Sequence, residues 1–208
     1  MFQKRTQMET LLAEVRVFAS RIASLRSSLP HLALLIVFGI MTPRVKGTYF
    51  LDPQILGAYA CLGVLFAAPA TAQLFAEEVP PSFQRAKARV LIGLVYGEIV
   101  AGILLGAAIA TVYLTNHGHY APTPDWESLV RSAMFGLGAS AMLASLAALV
   151  AMRFSRSIAM IFLRFVFFSL LVLYFYRGRY LADAGLESAG VCLAVAGVLL
   201  VMLRRACR

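Results

Sequence analysis

The stretch RAKARVLIGLVYGEIVAGILLGAAIATVYL, residues Arg85–Leu114, decides how the rest of the chain is read. Three cations, Arg85, Lys87 and Arg89, lead into it. From Val90 to Leu114 it is apolar except for the carboxylate of Glu98. As a helix, that apolar run reaches about 37 Å, enough to cross a hydrocarbon core of about 30 Å with some tilt. The chain therefore carries at least one membrane-spanning helix with an acid inside it.

Composition agrees. The 208 residues are 61% hydrophobic and only 14% charged, with mean hydropathy +0.80; soluble domains carry about 25% charge. One helical membrane unit fills such a length. The three cysteines, Cys61, Cys192 and Cys207, are odd in number and lack metal spacing, so no disulfide framework is expected.

Working outward, the N-terminal region is charged and no small-x-small cleavage site follows it, so a signal peptide is not expected. Leu11, Val15, Phe18, Ile22 and Leu25 recur at helical steps, with Glu14, Arg16, Arg21 and Arg26 largely off that line. Residues 1–29 thus read as an amphipathic helix lying on a membrane surface, on a partner or on the protein's own helix ends. Leu32–Met41 is apolar but short, between Pro30 and Pro43. Further spans are expected at Ile55–Leu74, Leu129–Met152, Ile158–Tyr176 and Ser188–Leu203. Pro69 and Gln73 predict a kinked last turn in the first of these.

The charges orient the chain. If all six segments cross, thirteen cations collect on one side: five before residue 30, Arg85, Lys87 and Arg89, Arg153 and Arg156, and Arg204, Arg205 and Arg208. Only Glu9, Glu14, Glu77 and Glu78 accompany them there. The other side is balanced, so the net charge of +9 lies on one face. The positive-inside rule makes that face cytoplasmic. If the first segment did not cross, the asymmetry would fall to eight against ten. The expectation is an all-α polytopic protein with a cytoplasmic amphipathic helix (1–29), six transmembrane helices (30–203) and a basic tail (204–208). Both ends lie in the cytosol. Its basicity serves orientation and anionic lipid rather than nucleic acid. Alanine- and arginine-rich composition without a glycosylation acceptor leans towards a bacterial inner membrane.

Glu98 and Arg164 are the deepest ionisable residues. Each lies about 12–13 Å along its helix from the cytoplasmic cations, so neighbouring helices would allow them to pair. A structural ion pair, snorkelling side chains, and transport or proton handling all remain open. Gly93, Gly97, Gly102 and Gly106 form two Gly-x-x-x-Gly pairs, which favour close helix packing. His117, His119, Asp125 and Glu127 sit in an outer loop without a framework to converge on a metal, so no metal or other cofactor is expected. Gly136–Ser140 is superficially similar to the serine helix of rhomboid proteases, and Glu77-Glu78 to the glutamates of prenyl-protein endopeptidases. Both chemistries need histidine within the membrane, and His31, His117 and His119 all lie at ends or in loops. An enzyme is not expected.

The helix around Leu11–Leu25, six spans in so short a chain, and the turn running from Phe75 through Glu77 and Glu78 to Arg89 resemble the type-2 ATP-binding-cassette exporter permeases, among which the haem exporter permeases are similar in length. The resemblance implies a permease working as an oligomer and driven by a separate cytoplasmic ATPase. That partner would dock on the turn, at Glu77, Glu78, Arg85, Lys87 and Arg89. From another class, a structural or assembly component of a larger membrane complex fits the same residues.

Overall fold

A computed structural model of the chain describes residues 2–22, 32–33, 35–46, 50–75, 81–115, 125–154, 158, 161–162, 165, 169 and 185–207. Every regular element among the described residues is helical. In order they are α1 (Phe2–Ile22), a π-helix (Leu35–Met41), α2 (Thr42–Lys46), α3 (Pro53–Ala60), α4 (Gly63–Leu74), α5 (Phe83–Thr115), α6 (Trp126–Arg153) and α7 (Gly185–Ala206). Four stretches are long and apolar enough to cross a bilayer: Ile55–Leu74, formed by α3 and α4 together, then α5, α6 and Leu186–Ala206 in α7. Of the other two expected spans, Ile158–Tyr176 lies mostly outside the described residues. The first is described only as the π-helix and α2, too short to cross alone.

The α3–α4 stretch is the most enclosed of the four and α7 the most exposed. Small residues explain how α4 fits between two neighbours. Its Val64, Ala68 and Ala72 pack with Ala139, Leu143 and Ala147 of α6. On its other side Gly63, Ala67 and Thr71 meet Gly93 and Gly97 of α5. Lipid gives apolar side chains no reason to leave it, so helix association here depends on close van der Waals packing. The expected glycine pairs therefore divide. Gly93 and Gly97 carry a helix contact, whereas a Cβ added to Gly102 or Gly106 would meet nothing within 4 Å among the described residues.

The break in the second span differs from the expectation. It falls at Cys61–Leu62, where Val64 N–H donates to Cys61 O (3.2 Å) and Leu65 N–H to Leu62 O (3.0 Å). Those are the tight bonds of a 3₁₀ turn. Pro69 stays inside α4, which continues to Leu74. A proline lacks its own N–H and crowds the carbonyl four residues earlier, so its disturbance falls before it rather than in the turn after.

Two clusters mark the ends of the bundle. At one, Phe18 of α1 joins Leu74 and Phe75, Ala86 of α5, Ala148 of α6 and Leu203 of α7. At the other, Phe50, Leu51 and Leu56 join Val112 of α5 and Leu129 of α6. There the π-helix is held by hydroxyls. Thr42 donates to Val37 O (2.8 Å), Tyr59 to Phe38 O (2.9 Å) and Thr111 to Gly39 O (2.9 Å). With no water in a bilayer core, such bonds replace solvation of a widened backbone ladder. Tyr59→Phe removes one and is expected to lower stability by about 1 kcal/mol, read as the unfolding midpoint in detergent.

Helix α6 starts and stops on local signals. Asp125 caps it, accepting from Ser128 N–H (3.3 Å), and Glu127 lies in the first turn and Arg153 in the last. Each charge complements the helix dipole.

Candidate functional site: a carboxylate among three spans

Glu98 lies near the middle of α5. Its Oε1 is fully buried and makes no hydrogen bond. It points at the start of α4, where a Cβ added to Gly63 would collide with Glu98 Oε1. Glycine leaves the carboxyl room in this position, and any side chain there would push it aside. Ser140, near the middle of α6, brings its hydroxyl beside the same carboxyl. Ser140 is 0% exposed, and its Oγ also lacks a hydrogen bond. The site is thus made by α5, α6 and the broken α3–α4 span.

The break is part of it. A Cβ on Gly136 would lie 2.8 Å from Ala60 O and 3.1 Å from Cys61 Cα, so α6 crosses directly over the broken turn. Ser132, Gly136 and Ser140 follow one another at four-residue steps and share a face of α6. Cys61 Sγ donates weakly to Ser132 O (3.5 Å). Ser132 is buried and its own hydroxyl has no partner. A polar trail therefore runs from Ser132 past the break to Ser140 and Glu98, through an otherwise apolar interior.

The charged residues at the α1 end of the bundle separate into two kinds. Arg89 is 3% exposed and Glu14 7%. Arg89 Nε lies 3.0 Å from Glu14 Oε2 and Nη2 3.4 Å from Oε1. Arg89 also lies over the Phe75 ring, 5.7 Å from its centroid. Beside this pair Phe18 meets Tyr96 edge to face at 5.2 Å. Arg89 is thus used within the chain to fasten α1 onto α5. Arg85 and Lys87 are exposed, Arg85 standing 3.9 Å from Glu14.

The inward line of α1 also shifts. Leu11, Glu14 and Phe18 turn inward, whereas Met8, Leu12, Val15 and Val17 are exposed. Glu14 was missed by sequence reasoning because an acid off the apolar line reads as solvated. Its three-residue and four-residue spacing to Leu11 and Phe18 was the available signal.

Glu77, Glu78 and Arg164 lie outside the described residues, as do His117 and His119. Asp125 caps α6 and Glu127 pairs with Arg131 along it. No group of three His, Cys, Asp or Glu converges among the described residues. None of the three cysteines is joined in a disulfide. Cys207 packs against the cluster that holds Phe18 and Leu203, and burial pushes its thiol up from the ordinary value. No protein-family model, curated protein or solved structure matches the chain.

Proposed function

We propose that this chain is the membrane-spanning permease component of an exporter of the ATP-binding-cassette type, driven by a separate cytoplasmic ATPase. The observation that carries the reading is the Glu14–Arg89 pair. It turns an amphipathic helix into a rigid attachment on the end of a span. That attachment leaves Met8, Leu12, Val15 and Val17 facing outward, with exposed Arg85 and Lys87 on the same end. A partner pressing on α1 would act through Arg89 on α5, the helix that carries Glu98. In this reading α1 and the turn before α5 are the input surface, and the permease works as an oligomer.

Six crossings with both ends in the cytosol belong to the same proposal, in a bacterial inner membrane. Support comes from the two end clusters. Phe18 belongs to one and Phe50 to the other, so the chain changes ends between them. Ala148 and Leu203 share an end although α7 crosses once, which asks for a further crossing between α6 and α7. Added to the four described stretches, that makes six.

The test is a mild-detergent purification of the tagged chain. Co-purification of an ATPase whose hydrolysis rate the chain alters several-fold, and whose binding Leu12→Asp abolishes in a still-folded protein, is the expected result. A second reading, an assembly component of a larger membrane complex, is favoured by the glycines Gly102, Gly106, Gly190 and Gly197. A Cβ added to any of them would meet nothing within 4 Å among the described residues, and smooth glycine faces suit other helices. Recovery of an integral complex with no ATP-dependent change would select it and end the first.

A further inference from the structure

We infer that Glu98 and Ser140 form an intramembrane binding site for one monovalent cation, a proton or an alkali ion, at the break in the α3–α4 span. The inference does not depend on what drives the chain. It starts from two neighbouring polar atoms that complete no well-formed hydrogen bond where one matters most. Glu98 Oε1 and Ser140 Oγ are both fully buried without a hydrogen bond, and Ser140 is 0% exposed. A carboxylate left so in a span is costly, and intramembrane acids mark proton or ion sites. Either a bound proton or a bound cation removes the deficit.

The surroundings select the charge. Among the described residues no lysine, arginine or histidine forms an ion pair with Glu98; Arg85 and Arg89 face Glu14 instead, and Arg131 faces Glu127. From α4, Gly63 faces the carboxyl, and Thr71 donates to Ala67 O (2.8 Å). From α6 the facing group is Ser140; Arg131 and Arg153 lie towards that helix's ends. From α3 and the break the titratable groups are Tyr59, bonded to Phe38 O, and Cys61, directed to Ser132 O. α1 offers Glu14, held by Arg89, and α2 offers exposed Arg44 and Lys46. α7 places Arg204 over Phe83, 5.8 Å from the ring centroid, at the start of α5. On α5 itself Tyr96 is engaged with Phe18.

One carboxylate with a hydroxyl and no second acid neutralises a single positive charge. A divalent ion would want several carboxylates or histidines, and no such group is present among the described residues. The place fits as well: membrane proteins hold ions at discontinuous helices, and Gly63, against the carboxyl, opens the second half of the broken span.

The purified full chain, reconstituted in lipid nanodiscs, is treated with dicyclohexylcarbodiimide over a pH series and read by intact-mass and peptide mass spectrometry. The reagent adds to protonated carboxyls in apolar surroundings. A single adduct on Glu98, absent from Glu98→Gln and lost as pH rises, is the result expected for a proton. Additional protection by sodium or lithium chloride over choline chloride identifies an alkali ion. Infrared spectra of the wild type and Glu98→Gln follow the same carboxyl without a reagent. Ser140→Ala should move the half-labelling pH by about one unit, or the sodium protection by about tenfold. The proposal is overturned if Glu98 shows neither adduct nor carboxyl band at any pH in folded protein, as a permanent pair with Arg164 would give. It is equally overturned if Ser140→Ala leaves the profile unchanged.

Discussion

Glu14→Ala is expected to cost about 3–5 kcal/mol and to release α1 from the bundle. The size follows from what remains. Arg89 is 3% exposed, so losing the carboxylate strands a guanidinium against Phe75 and the end cluster. Arg89→Ala should cost about as much, because Glu14, 7% exposed, is then the stranded charge. Arg85 cannot substitute: it stands 3.9 Å away with its side chain 62% exposed, and an exposed pair is worth about 0–1 kcal/mol. The double replacement Glu14→Leu with Arg89→Met should restore most of the loss, since a well-packed apolar pair avoids burying charge at all. Unfolding midpoints in detergent read the energies, and protease cleavage within α1 reads its release. Single variants that lose less than about 1 kcal/mol would show that the pair does not hold the helix.

This pair also marks where the sequence was legible and where it was not. Glu98 stood out because one acid in a long apolar run has no ordinary explanation. Its neighbours did not, since Ser140 and Gly63 look like any small residues of a membrane helix until three helices are brought together. Glu14 and Arg89 each read as surface charges, because burial of a pair depends on contacts between residues far apart in the chain. The break at Cys61–Leu62 was hidden for a related reason. Proline announces a disturbance in sequence, whereas a turn overlaid by Gly136 and filled by Glu98 is a property of the assembled helices. Helical class and the four described membrane stretches needed only hydropathy and length, which are local.

The four glycines of α5 give the sharpest separation between spacing and structure. Gly97→Ala is expected to destabilise by about 1–3 kcal/mol, and Gly97→Val by more. Its Cβ would lie 2.6 Å from Gly63 O and 2.7 Å from Ala67 N. Both are backbone atoms, so neither turns aside and the helices must part. Parting forfeits contacts along the whole α4–α5 seam, because dispersion falls steeply over a fraction of an ångström. Gly102→Ala has the same chemistry and the opposite expectation. Nothing lies within 4 Å of its Cβ among the described residues, and alanine favours helix over glycine by about 1 kcal/mol. Unfolding midpoints of the two variants, measured side by side, should therefore move in opposite directions. Equal effects would mean that the tight α4–α5 seam is wrong. The same displacement would draw Glu98 away from Gly63, so Gly97→Ala should alter carbodiimide labelling of Glu98 while Gly102→Ala leaves it in place. Stability of the seam and titration of the carboxyl are then two readings of a single contact.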